Sequence, residues 1–270
     1  MSEIGVLSIQ MNSVAEPTAQ NLSKVEKIIR GYTSRKIDLI VLPEFFSTNT
    51  SYMQAIENEY GGQTINQVCE LAKRYNTNIV AGTVVRRIGN KLYNTSFAIN
   101  RNGKVLDKYD KLHLFSYMGG TEGDHITAGN RLVAVDFDFG RVGLAIGFDS
   151  RYPLQFKELS RLGSDIIVLP TAWPVPNEVF ADKNSLAYAR NMWTAMSRTR
   201  AYDNEVYYVI SNQVGQSADN NWAAIGQSMI ISPTSEVLAE AVDEEQGIYA
   251  KIDLSLPRLL KGYFPIAEQE

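Results

Sequence analysis

The chain has 270 residues, 44% of them apolar and 21% charged, a balance that excludes a disordered segment, a collagen-like repeat and a disulfide-stapled miniature. Its 26 Lys and Arg against 30 Asp and Glu leave a net charge of −4, without the basic block of a nonspecific nucleic-acid or membrane-surface binder. One cysteine, Cys69, rules out an intrachain disulfide, and two histidines, His113 and His125, leave little for a metal centre, so no metal is expected.

The N-terminal stretch carries Glu3 where an export signal needs a base, and apolar runs such as Ile166-Ile167-Val168-Leu169 are too short to span a bilayer as a helix. With no disulfide either, the expected address is the cytoplasm.

In chain order, Ile4–Met11 reads as a buried strand, and Leu22, Val25, Ile28, Ile29 and Tyr32 form a helical stripe after Pro17. Asp38–Leu42 is a continuous apolar strand stopped by Pro43. Ile65, Val68, Cys69, Leu71 and Ala72 make a second helical stripe ending near Asn76. From there the pattern changes to antiparallel strands at Ile79–Arg87, Leu92–Asn100 and Lys104–Lys108, with turns at Gly89-Asn90 and Asn102-Gly103. Strands at Leu132–Phe139 and Val142–Phe148 flank Gly140, a short helix follows Pro153, and Asp165–Leu169 runs into Pro170. A long helix, Ser185–Asp203, precedes a strand at Val206–Val214, and Ser228–Ile231 and Ser235–Ala241 form a hairpin around Pro233. The tail from about residue 254 carries Leu256, Leu259, Leu260, Tyr263 and Phe264, too much apolar surface to hang free, so it is expected to dock on this subunit or a neighbour.

Asp38-Leu-Ile-Val-Leu-Pro43 and Asp165-Ile-Ile-Val-Leu-Pro170 agree at five of six positions, each after a helical stretch. Chance among hydrophobic strands and two similar halves facing each other both account for that. Strands alternating with helices, undivided by a linker, predict one α/β domain over residues 1–270.

Signatures of phosphate loops, dinucleotide-binding turns and serine-esterase elbows are absent. What remains is a set of charged residues in apolar settings. Glu44 follows a buried strand and is boxed by Pro43, Phe45 and Phe46, surroundings that raise a carboxyl toward the range of a general base. Lys111 precedes Leu112, Leu114 and Phe115; buried beside carboxylates it would stabilise a developing oxyanion, and exposed it would be an edge lysine that resists aggregation. Glu122, in a polar glycine-containing loop, carries no signal by itself. The run Gly143–Pro153 is a strand that stops at Gly147 and turns into a helix, with Asp149 and Arg151 placed to pair across the turn. Such turns present a nucleophile in several hydrolase folds, although Gly147 also suits a plain turn.

Together these segments resemble the nitrilase superfamily of carbon–nitrogen hydrolases. Leu42-Pro43-Glu44 matches the family's strand-end L-P-E, Tyr109-Asp-Lys111-Leu-His-Leu114 its lysine segment, and Ile146–Pro153 its I-C-Y-D-x-R-F-P nucleophile motif. Trp173-Pro174, Arg200–Asn204 and Gly226–Ile231 continue the match in order, and Glu122–Gly129 looks closest to small-amide and ω-amidase-like branches. The resemblance implies a four-layer α-β-β-α sandwich, a homodimer formed through the layer with the nucleophile's helix, and cofactor-free acyl transfer on a small-molecule amide. In that scheme Glu44 is the base, Lys111 and the Phe148 N–H hold the oxyanion, Glu122 positions Lys111 or the substrate, and Trp173 lines the pocket. No nucleic acid and no membrane enters it.

One departure stands out: the nucleophile position is Gly147, which has no side chain to form a thioester. Cys69 lies on a helical apolar stripe, where a free cysteine acts as a small hydrophobe. An inactivated amidase, a non-catalytic binder of a small amide or acid, and slow hydrolysis by water activated at Glu44 all fit this change. A dimeric interaction protein on the same fold is the alternative from another class.

Overall fold

The computed structural model describes residues 3–15, 18–218 and 221–268, so Pro17 lies outside the described residues. The first half runs β1 (Glu3–Gln10), α1 (Thr18–Arg30), β2 (Leu39–Val41), α2 (Gly62–Tyr75), β3 (Asn78–Val80), β4 (Val84–Ile88), β5 (Lys91–Ile99), β6 (Val105–Asp110) and α3 (Glu122–His125). The second half runs β7 (Ala134–Asp136), β8 (Arg141–Leu144), α4 (Pro153–Arg161), β9 (Ile166–Thr171), β10 (Pro174–Pro176), α5 (Asn177–Ala181) and α6 (Lys183–Asp203). After these come β11 (Tyr207–Asn212), β12 (Val214–Gln216), β13 (Trp222–Ile225), β14 (Met229–Ile231), β15 (Val237–Glu240), β16 (Gln246–Asp253) and α7 (Ser255–Tyr263).

Two large sheets face each other, one ordered β16-β1-β2-β3-β5-β4 with β6 on β5, the other β15-β14-β11-β9-β8-β7. Their strands alternate faces. Ile4 and Val6 of β1 join Val142, Leu144, Ile166 and Val168 in a core between the sheets, whereas Leu7 and Ile9 point outward. On that outer face α1 and α2 lay down Leu22, Val25, Ile29, Ile65 and Val68, residues spaced at the helical period. Over the second sheet, α4 and α6 contribute Phe156, Leu159, Trp193 and Ala201. The result is the expected four-layer α-β-β-α sandwich. Each fully buried aliphatic side chain stabilises it by roughly 1.5–3 kcal/mol before entropy is counted.

The repeated hexapeptide marks equivalent positions in the two sheets. β2 lies between β1 and β3, parallel to both, and β9 lies between β8 and β11, parallel to both. Asp38 and Asp165 open these central strands alike: the Asp38 carboxylate accepts the Gly5 N–H at 3.0 Å, and that of Asp165 accepts the Arg141 N–H at 3.2 Å. The two halves therefore face each other in the same local design.

Three expectations are corrected. Ile79–Arg87 is two strands, broken at Gly82, whose φ of +50° and whose approach to the Pro43 carbonyl leave no room for a Cβ. Val206–Val214 also divides, because β12 leaves the sheet to pair with β13 in a small sheet ordered β10-β13-β12. Asp149 and Arg151 do not pair: Asp149 is buried and bound to Tyr109, His113 and the Ile146 N–H. In the tail, Leu254 and Pro257 are buried and Leu256 packs on the inter-sheet core, while Leu259, Tyr263 and Phe264 stay exposed. Among the described residues no helix is long and apolar enough to cross a membrane.

Candidate active site

The carboxyl ends of β2, β8, β9 and β11 open onto one cavity of about 600 Å3, the place where parallel α/β sheets gather ligand-binding groups. Its walls are largely aromatic, with Phe115, Phe148, Trp173 and Trp222 among them, and its charged lining groups are Glu44, Lys111, Glu122 and Arg151.

Glu44 comes off β2 where Pro43 ends the strand. The next residue, Phe45, adopts a left-handed φ of +53°, which costs a side-chain-bearing residue about 1–3 kcal/mol. That backbone is held by the Phe45 N–H donating to Thr83 Oγ1 at 2.9 Å, so the break at Gly82 between β3 and β4 serves the Glu44 turn. Lys111 extends β6, its N–H donating to the Asn94 carbonyl at 2.9 Å. Glu122 begins α3, with its Oε2 accepting the Phe115 N–H at 2.8 Å.

These three residues, far apart in sequence, meet in the interior. Lys111 Nζ donates to Glu44 Oε1 at 2.9 Å and to Glu122 Oε2 at 2.8 Å, and all three side chains are buried. Burial works against the Lys111 charge, yet Glu122 and Glu44 outweigh it and hold the ammonium above its ordinary range. Burial also pushes the Glu44 carboxyl up, with Lys111 pulling the other way, the setting of a base that takes and returns a proton. Its second oxygen, Oε2, accepts the Ala172 N–H at 3.1 Å.

Gly147 ends the strand-to-turn passage after β8 with φ +45°, in the region that favours glycine. A Cβ built on it would stand 2.5 Å from Glu44 Oε2, so the carboxylate occupies the space a side chain would enter. Asp149 fixes this turn: its carboxylate accepts the Ile146 N–H at 2.9 Å, the Tyr109 hydroxyl at 2.7 Å and the His113 N–H at 3.0 Å. His113 Nδ1 lies 2.9 Å from the same carboxylate, and its ring stacks on Tyr152. Among the described residues the Phe148 N–H has no acceptor. Trp173 lines the cavity and packs against Trp193, with its backbone N–H donating to Asn212 Oδ1 at 2.9 Å.

The structure thus brings Glu44, Lys111, Glu122, Gly147, Phe148 and Trp173 to one cavity. Cys69 is elsewhere, half-buried on α2 against the outer core, and burial raises its thiol further from the thiolate form. Two groups escape the sequence reading. Asn94 Nδ2 donates to Glu44 Oε1 at 2.8 Å and to Glu122 Oε1 at 3.0 Å. Tyr52 lines the cavity and stacks on Phe45, and burial together with the charge of Glu122 pushes its phenol up to about 12, so it keeps its proton. An asparagine inside the expected strand Leu92–Asn100, where its type is disfavoured, was the one local signal.

Comparison with known proteins bears on the chain as a whole. The profile of the carbon-nitrogen hydrolase family matches residues 6–261. The ω-amidase NIT2 of Bos taurus is 27% identical over 274 residues, spanning 99% of this chain and 94% of its own. The 2-oxoglutaramate amidase of Bacillus subtilis is 27% identical over 250 residues, spanning 92% and 90%. The crystal structure of Saccharomyces cerevisiae Nit3, described as a member of branch 10 of the nitrilase superfamily, superposes with a TM-score of 0.84 at 25% identity, covering 99% of this chain and 96% of that one. A cavity with an acid–lysine–acid centre at the strand ends of this sandwich, matched along nearly its whole length, places the protein: the chain belongs to the carbon–nitrogen hydrolase family.

Proposed function

We propose that the cavity is an ω-amidase-like site for a small carboxamide that also carries a carboxylate, and that the chain holds this ligand without forming a thioester because Gly147 supplies no nucleophile. The observation that carries this reading is the buried Glu44–Lys111–Glu122 cluster beside a side-chain-free Gly147. The amide oxygen accepts from Lys111 Nζ and from the Phe148 N–H, and the amide nitrogen donates to Glu44 Oε2. Arg151 is the one charged lining group without a carboxylate partner among the described residues, and it meets the ligand's carboxylate at the mouth of the cavity. The relatives named for ω-amides and 2-oxoglutaramate support the same ligand class. The family scheme runs through a thiol that gives its proton to Glu44, attacks the amide carbon and releases ammonia when Glu44 returns that proton to the nitrogen; water then cleaves the thioester to the acid. A thiol at residue 147 is the missing element here.

Calorimetric titration of the unchanged chain tests this directly. Succinamate is expected to bind saturably, and Arg151→Met to weaken it about tenfold, or 1.4 kcal/mol, while leaving uncharged butyramide unaffected. Absence of binding by both amides counts against the site, and equal weakening of both counts against the role of Arg151.

We infer also that the chain pairs with a second copy across the α4–α6 layer, where Leu154, Tyr188, Met192 and Tyr202 are exposed large apolar side chains. Sedimentation velocity is expected to show a dimer that Met192→Glu converts to monomer; a monomeric parent chain rejects the pairing.

A further inference from the structure

We propose that Asn94 is a positioning residue of this centre, a single carboxamide that holds both acids in place around Lys111. The inference rests on reading the cluster as the hydrolase site. Asn94 touches every member of it: its backbone carbonyl accepts the Lys111 backbone N–H, and the two hydrogens of its side-chain Nδ2 go to Glu44 Oε1 and Glu122 Oε1. Lys111 grips the same two acids with its ammonium. Each acid is therefore clamped between a cation and a neutral donor, and Glu44 Oε2 is left aimed at Gly147.

The cost of this orientation is visible. Asn94 is fully buried, and its Oδ1 has no hydrogen-bond partner. A buried acceptor left unmade costs about 1–3 kcal/mol, and turning the amide over would only set Oδ1 against two carboxylate oxygens, which cannot donate, and strip both acids of their Nδ2 donor. Both donors are committed to the acids and the acceptor is sacrificed, as expected of a group kept for the site and not for packing.

The chemical consequence concerns Glu44. Two buried carboxylates and one buried ammonium carry a net charge of −1, which invites a proton onto Glu44. Asn94 opposes that proton by donating to the charged form without adding charge. The groups that face Glu44 are Lys111 from the end of β6, Glu122 from α3, Asn94 from β5 and the Ala172 N–H beyond β9. Tyr52, with Asp124 behind it, shares the field of the cluster.

Infrared titration of the otherwise unchanged chain tests the proposal, following the C=O stretch of protonated carboxyls and assigning Glu44 by the band lost in Glu44→Gln. Asn94→Ala is expected to move the Glu44 midpoint upward by about one pH unit, a tenfold gain in proton affinity. Asn94→Ser, which keeps one donor, is expected to fall between it and the parent. An unchanged midpoint in a folded variant overturns the proposal, and if Asn94→Ala does not fold, Asn94→Ser decides alone. The titration needs neither ligand nor turnover, so failure of the amide to bind would sink the proposed function and leave this result readable.

Discussion

Lys111→Met is expected to lower the unfolding free energy at pH 8 by about 3–5 kcal/mol, the range for a buried ion pair stripped of one partner. Among the described residues no other cation is paired with Glu44 or Glu122, and those side chains are only 5% and 8% exposed. Methionine fills much of the lysine's volume, so the loss reports charge and not a cavity. The pH dependence follows from the direction of the Glu44 shift. Its carboxyl lies above the ordinary value in the folded chain, so the ionised form penalises the folded state, and the penalty grows as pH rises through the folded value. Removing Lys111 raises that value further. The gap between parent and variant is therefore expected to widen from pH 5 to pH 8 and to shrink on acidification, as Glu44 takes up a proton. The Lys111 contribution itself is complete below the ordinary lysine range and fades only above it, because its folded value is raised. Denaturant unfolding at pH 5 and pH 8 measures the size of the gap and its change with pH. Equal stabilities at pH 8, or a gap that widens on acidification, contradicts the buried-cluster account.

Much of the sandwich was legible because its physics is local. Leu22, Val25 and Ile29 at helical spacing gave α1 its buried face, and the two Asp-to-Pro hexapeptides marked the central parallel strands of both sheets. What escaped was set by partners distant in sequence. The break at Gly82 exists because the Pro43 carbonyl comes against it, a contact from another loop. The strand expectations stop at Ala241, although Ile248, Ala250 and Ile252 of β16 alternate inward; β16 is specified by its pairing with β1 along the whole of Glu3–Gln10. In the site, Glu44 and the Gly147 turn were visible because each follows an apolar strand, and Lys111 because it stands directly before the apolar Leu112, Leu114 and Phe115. Asn94 and Tyr52 were not, since their meaning comes from the carboxylates they approach across the fold. The supposed Asp149–Arg151 pair failed for the same reason. Tyr109 and His113, from another segment, supply the partners Asp149 needs in the interior, and Arg151 is left facing the cavity.

Gly147→Cys is expected to convert this chain into an amidase while making it less stable. The left-handed φ of +45° at residue 147 costs a side-chain-bearing residue about 1–3 kcal/mol. The new Cβ, 2.5 Å from Glu44 Oε2, must also displace that oxygen. Oε2 is the free end of the carboxylate, held only by the Ala172 N–H at 3.1 Å, whereas Oε1 is anchored by Lys111 and Asn94. The carboxylate therefore pivots on Oε1 and ends within reach of the thiol, which is the geometry a general base needs. In the proposed scheme Lys111 and the Phe148 N–H receive the oxyanion, a contribution of order 10²–10³ in rate for each donor in comparable sites. The deciding measurement is ammonia release from succinamate by Gly147→Cys beside the unchanged chain and Gly147→Cys combined with Glu44→Gln. The account predicts sustained turnover and an acyl adduct on residue 147 in intact-mass spectra for the single variant, with rates at least about a hundredfold lower in the other two. A folded Gly147→Cys protein that binds the amide yet releases no ammonia, or one whose turnover survives Glu44→Gln, would contradict it.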